Sequence, residues 1–130
     1  MRTTLLALFL VGCGSPTEQE LAKLSARSQT NCGKVDFLRG SCPADVESMV
    51  ACFNTELDAG RPATLSWRYF TIEGGPIVTT LFTDTSPPIS EFVDTRGDSF
   101  GQQVVTKRGC TRLEAISGGV CVSPETVDCR

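Results

Sequence analysis

Seven cysteines and no histidine in 130 residues limit this chain more tightly than any other feature of its sequence. Sulfur at this density either holds a metal or cross-links a small fold in an oxidising compartment. Spacing argues against the metal. Among Cys32, Cys42, Cys52, Cys110, Cys121 and Cys129 no two are separated by the two to four residues of a zinc knuckle, and there is no imidazole to complete a site. The expectation is therefore no metal and no cofactor, with these six paired as three disulfides. Cys13 is left over, and an odd cysteine in an exported protein needs its own explanation. Lacking histidine, the chain also lacks the usual general base and the side chain that titrates near neutral pH.

The length fits one domain. A hydrophobic fraction of 40% and a mean hydropathy of −0.01 are those of a folding chain. With 12 basic against 15 acidic side chains and a net charge of −3, there is no basic surface to track phosphates, so nucleic acid is not an expected partner.

The amino terminus accounts for Cys13. Met1 to Thr4 is a short basic start and Leu5 to Val11 an unbroken apolar run, the arrangement of a secretory leader. Seven residues fall far short of the about 20 that cross a bilayer. The run closes in Leu10-Val11-Gly12-Cys13, which resembles the bacterial lipobox. That resemblance implies a diacylglyceryl thioether on Cys13, cleavage before it, and a lipid anchor in the cell envelope. The plainer alternative is an ordinary leader with a chance cysteine. Residues 1–12 are then the leader, 13–31 the lipidated cysteine and a flexible tether, and 32–130 a single α+β domain. Cleavage leaves 11 basic against 15 acidic side chains, a net charge of −4. In a host with two membranes, Gly14 carries no inner-membrane retention signal of the Asp type, so the outer membrane is expected; in a single-membrane host it is the outer face of the plasma membrane.

Gly14 to Asn31 is polar, and as a coil its 18 residues would span roughly 23 Å. Glu18 to Arg27 has helical character, but Leu21 and Leu24 alone make too thin a stripe to anchor a helix. The clearest helix runs from Pro43 to about Ala59: Val46, Met49, Val50, Phe53 and Leu57 share one face, and Gly60 with Pro62 stops it. Beyond it the period changes to two. Ala63 to Glu73, Ile77 to Asp84, Ile89 to Asp94 and Gln102 to Cys110 read as four strands joined by short turns, and a short strand at Val35 to Leu38 precedes the helix. The expected fold is α+β, one amphipathic helix on a four-stranded antiparallel meander, stapled by disulfides. Its order of elements is that of the cystatin-like layout, an analogy without functional content.

Helix geometry limits the pairing of sulfurs. Across an intact helix Cys42 and Cys52 would stand roughly 15 Å apart and cannot bond. Cys121 and Cys129 flank Ser123-Pro124-Glu125 and suggest a local staple. Of the two schemes left, Cys52 with Cys110 and Cys32 with Cys42 is preferred.

Thr71-Ile72-Glu73-Gly74-Gly75-Pro76-Ile77 and Asp94-Thr95-Arg96-Gly97-Asp98-Ser99-Phe100-Gly101, followed by Cys110, resemble a domain-of-unknown-function family of small bacterial lipoproteins. Its members look similar in a Thr-x-Glu-Gly-x-Pro-Ile hairpin and an Asp-x-x-Arg-Asp-x-Phe-Gly segment. Here Gly97 intervenes between Arg96 and Asp98, and there are more cysteines. The resemblance covers about Val35 to Cys110 and implies a lipid-anchored envelope domain with no known activity.

Among polar residues Glu73, Asp94, Arg96 and Asp98 are the candidate binding group. The carboxylates would serve as an acid/base pair or as oxygen ligands if they converge, and as turn-forming residues if they do not. Arg96-Gly97-Asp98 also spells the integrin-binding tripeptide, a chance event at this length. Trp67, Tyr69 and Phe70 would line a groove if one sheet face is open, and Lys107, Arg108 and Arg112 would form a small basic patch for phosphate headgroups. No nucleophile has a base beside it, so no catalytic residue is assigned. The leading expectation is a non-catalytic, membrane-anchored module that binds or inhibits a protein or small ligand. The alternatives are a carboxylate-dependent hydrolase using Glu73 and Asp98, which needs both in one concave pocket within about 10 Å, and a structural spacer of the envelope.

Overall fold

The computed structural model describes residues 13–130; the expected leader, residues 1–12, lies outside the described residues. Two helices and seven strands follow in the order α1 (Pro16–Ala26), β1 (Thr30–Phe37), α2 (Val46–Asp58), β2 (Ala63–Phe70), β3 (Pro76–Phe82), β4 (Ile89–Asp94), β5 (Val105–Cys110), β6 (Arg112–Ile116) and β7 (Ser123–Val127). The class is α+β, as the change of period implies, but the main sheet is five-stranded and mixed instead of a four-stranded antiparallel meander. It runs β1-β2-β3-β4-β5, and β6 with β7 forms a separate hairpin. Strands β2 to β5 pair antiparallel, while β1 lies parallel to β2 with Val35 opposite Trp67 and Phe37 opposite Tyr69. A parallel neighbour needs a crossover, and α2 supplies it. Two ends can be distinguished: an upper end bearing the β2–β3 and β4–β5 connections, and a lower end bearing the β3–β4 connection and the start of β1.

One face of the sheet is covered by α2 and the β6–β7 hairpin. Val46, Val50 and Phe53 of α2 bury against Ala63, Leu65, Trp67, Leu81 and Ile89, with Leu113 of β6 completing the layer. Asn54 Nδ2 donates to Leu113 O at 3.0 Å, so helix and hairpin are joined. The helix stops where Gly60 takes φ +64°, a conformation that favours glycine, with Gly60 N donating to Leu57 O.

The opposite face holds the main departure from the sequence reading. The stretch expected to be a flexible tether forms α1, and α1 is docked. Ser15 caps it in a reciprocal box: Glu18 N donates to Ser15 Oγ at 3.3 Å and Ser15 N to Glu18 Oε2 at 2.7 Å, with Pro16 in the first turn. Leu21 and Leu24 pack on a second apolar cluster of Phe82, Phe92 and Val105. Two leucines are enough because the sheet face beneath is already apolar. Lys107 bonds Glu20, and Arg27 donates to Thr83 O and Asp84 O. The helix therefore runs from the upper end to the lower.

Three disulfides are present, but not in the preferred scheme. Cys32 bonds Cys52, Cys42 bonds Cys121, and Cys110 bonds Cys129. Cys121 and Cys129 cannot pair because β7 stretches between them, and about 3.3 Å per residue carries the two sulfurs far apart. Cys32 and Cys42 are separated by most of β1 for the same reason. Cys52 on α2 faces β1, and Cys110 is taken by the strand end that follows β7.

Candidate functional site

Glu73, Asp94, Arg96 and Asp98 do lie at one end of the sheet, the upper one, but they do not form one cluster. Asp94 closes β4, and Arg96, two residues on, folds back to grip it: Nε donates to Oδ1 at 2.9 Å and Nη2 to Oδ2 at 2.7 Å, with the backbone N of Arg96 adding a bond to Oδ1 at 3.0 Å. These hydrogen bonds from Arg96 hold the Asp94 carboxyl below its ordinary value against the opposing effect of burial. The guanidinium is shifted up in turn, chiefly by Asp94 and secondarily by Glu18. Its remaining arm reaches Glu18 Oε1 of α1 at 3.3 Å. Arg96 thus ties the capped start of α1 to the β4–β5 loop.

Asp98 serves the loop itself. Its Oδ1 accepts from Phe100 N at 3.1 Å, and its own N donates to Thr95 O at 3.0 Å. Thr95 Oγ1 closes the base of the same loop by donating to Val104 O at 3.0 Å. Glu73 is exposed and has no hydrogen bond or ion pair among the described residues. The two segments that carry the family resemblance pack on each other. A Cβ on Gly75 would stand 2.8 Å from Asp98 Cα, and one on Gly97 would stand 2.6 Å from Pro76 Cγ. Both glycines are there for close approach, since neither has a positive φ.

The other candidate groups separate across the sheet. Trp67 and Tyr69 lie on the α2 side and Phe70 on the opposite side, so they do not line one groove; Trp67 is core. Arg68 stacks over Phe70 with its carbon 5.2 Å from the ring centroid, and clasps Asp36 of β1 with bonds of 3.0 and 2.7 Å. This stretch of β1 and β2 is the half-buried part of the sheet face beside α1. Lys107, Arg108 and Arg112 are likewise parted, with Lys107 on Glu20, Arg108 on Glu91, and Arg112 near Glu114 and Asp128.

Glu91 is the polar residue that sequence reasoning missed. It is buried in β4 opposite Arg108 of β5, accepts from Arg108 Nε, and accepts from Thr126 Oγ1 of β7 at 2.7 Å. The Arg108 guanidinium is held up by that bond. Glu91 is the polar fastening between the sheet and the hairpin. Its carboxylate lies within 4.8 Å of the sulfurs of Cys110 and Cys129. Those sulfurs are bonded to each other and offer no thiolate. The signal for Glu91 lay in the alternation Ile89-x-Glu91-x-Val93, which puts a carboxylate on a core-facing position, but its partner follows only from strand register.

Surface hollows of about 290 to 380 Å³ are lined by Glu91, Thr106 and Arg108; by Asn54, Leu57 and Leu113; by Pro87, Gly109 and Arg130; and by Cys13, Glu18, Gln19 and Arg96. Neither Glu73 nor Asp98 lines any of these four. Cys13, by contrast, is exposed and is the one cysteine outside a disulfide. Among the described residues no helix is long and apolar enough to cross a membrane. No family model, curated protein or solved structure gives a significant match to the chain.

Proposed function

We propose that the chain is a lipid-anchored domain of the bacterial cell envelope that binds a protein or small ligand instead of turning one over. The observation that carries this reading is the division of the sulfurs: six are consumed in three bonds, and Cys13, the residue that ends the lipobox-like run, stands exposed beside the capped start of α1. Oxidised pairs belong to an exported protein, and the spare thiol is where the acyl chain attaches. Binding is favoured over catalysis by what the polar residues are doing. Asp94 and Arg96 neutralise each other, Asp98 is committed to its own loop, and Glu73 faces water with no partner. A carboxyl held ionised by an arginine is not a general acid at neutral pH. A partner would be met on the β1–β2 face around Arg68 and Phe70. The resemblance to small lipoproteins of unknown function supports the same location, since its two segments are those that pack together through Gly75 and Gly97. The order of α2 followed by β2 to β5 supports the cystatin-like analogy of layout.

Expression of the full chain in a bacterial host fed radiolabelled palmitate tests the anchor. Label on the wild type and none on Cys13→Ala supports the reading, and an unlabelled wild type overturns it. Chemical crosslinking in the intact envelope tests the binding half, where a discrete crosslinked adduct is the expected result.

A further inference from the structure

We infer that the upper end of the domain is seated in the bilayer, so that the protein lies against the membrane with its exposed apolar side chains in the headgroup region. This rests on the lipidation of Cys13 proposed above. Among the described residues the large apolar side chains left exposed are Leu38, Tyr69, Ile72, Phe100, Val104 and Val120. Ile72 is 85% and Phe100 79% exposed. All six sit at the same end. Tyr69 is at the close of β2 and Ile72 in the β2–β3 turn, while Phe100 and Val104 belong to the β4–β5 loop. Leu38 follows β1, which runs parallel to β2 and ends beside Tyr69. Val120 is brought to that end by the Cys42–Cys121 bond, with Val120 O only 3.4 Å from Cys42 Sγ. The lower end carries none of them.

Cys13 is at this end as well. It shares a hollow with Glu18 and Arg96, and Arg96 grips the start of the β4–β5 loop. Since α1 begins at Pro16 with Ser15 as its cap, only Gly14 and Ser15 lie between Cys13 and the docked helix. An acyl chain at Cys13 draws the six side chains toward the bilayer, because a docked helix leaves no slack to hold the domain away. Charge identifies the kind of surface. Arg96 is neutralised by Asp94 and Glu18, and the exposed Arg39 beside Leu38 is outweighed by Glu73 and Asp98, so the attraction is apolar and does not depend on anionic lipid.

The test uses the full chain as the host processes it, reconstituted into phosphatidylcholine vesicles with brominated acyl chains. Ile72→Trp, Phe100→Trp and, at the lower end, Asp58→Trp are compared one at a time after subtracting the signal of Trp67. All three positions are exposed, and non-reducing intact mass confirms the three disulfides in each variant. Bromine quenching severalfold stronger at 72 and 100 than at 58, unchanged by added anionic lipid, is the expected result. Equal quenching at all three positions, or none at 72 and 100, overturns the proposal. So does a dimer in neutral detergent that protects 72 and 100, because the surface then belongs to a second copy. The same mass measurement reads the acyl adduct on Cys13, so a missing adduct condemns the lipidation reading independently of where the tryptophans lie.

Discussion

A methyl group added at position 97 has no space to occupy. The Cβ of an alanine there would come within 2.6 Å of Pro76 Cγ and 3.0 Å of Pro76 O, neither of which is the free end of a flexible side chain. Gly97→Ala should therefore part the β2–β3 turn from the β4–β5 loop and cost about 1–3 kcal/mol, the usual penalty of overpacking, read as a lowered midpoint in thermal denaturation of the oxidised protein. Asp94 makes a second residue-level prediction. Its carboxyl is lowered in the fold by hydrogen bonds from Arg96, relative to an ordinary value of 3.8. The folded state binds the proton less readily than the unfolded chain, so this group adds stability that is complete above about pH 3.8 and disappears as pH falls through the lowered folded value. Asp94→Asn should melt below wild type at pH 7, with the gap closing at strongly acidic pH. The turn at this site was readable from sequence, since Asp94, Arg96, Gly97 and Asp98 are turn-forming residue types in a short connection, whereas the grip of Arg96 on Asp94 emerged only in the fold. What no sequence window contained was Glu18, because the bond between Arg96 and Glu18 joins residues 78 positions apart.

Among the elements, α1 was the least legible. Its capping box is written plainly as Ser15-Pro16-Thr17-Glu18, yet its apolar stripe is only two leucines wide. Helix stability of this kind comes from what lies underneath, and the receiving surface of Phe82, Phe92 and Val105 is assembled from three strands far along the chain. Leu21→Ser combined with Leu24→Ser should undock α1 while leaving the disulfides intact. Limited trypsin digestion would then cut at Lys23 and Arg27 much faster than in the wild type, while the body from β1 onward stays resistant. Equal cutting rates in the two proteins would show that the leucines do not hold the helix. The helix α2 was legible to within a turn because five apolar residues fix one face and Gly60 ends it. The β6–β7 hairpin was hidden by its shortness and by Pro124 in its second strand, a residue that demotes a strand assignment. Only the partner strand and Glu91 explain why it forms.

For the molecule as a whole, three bonds close rings of very different size. Cys42 and Cys121 are 79 residues apart in sequence, against 20 for Cys32 and Cys52 and 19 for Cys110 and Cys129. Chain entropy alone assigns about 4.5 kcal/mol to the long ring and about 3 to each short one. Cys42→Ser with Cys121→Ser should accordingly lower the urea midpoint more than either short pair does, provided the m-value is unchanged. That three bonds form was legible from counting sulfurs. Which ones form was not, because the choice depends on the parallel placement of β1 and on β7 being extended. The chain's far end has its own fastening: Cys129 is bonded to Cys110, and Arg130 exchanges two backbone hydrogen bonds of 2.9 Å with Gly109 of β5. Gly109 lies at the bottom of the sheet, across the whole length of α1 from Cys13. A fluorophore, affinity tag or fused reporter placed after Arg130 must leave the body on the side remote from Cys13, so labelling there keeps the apolar side chains of the upper end unobstructed.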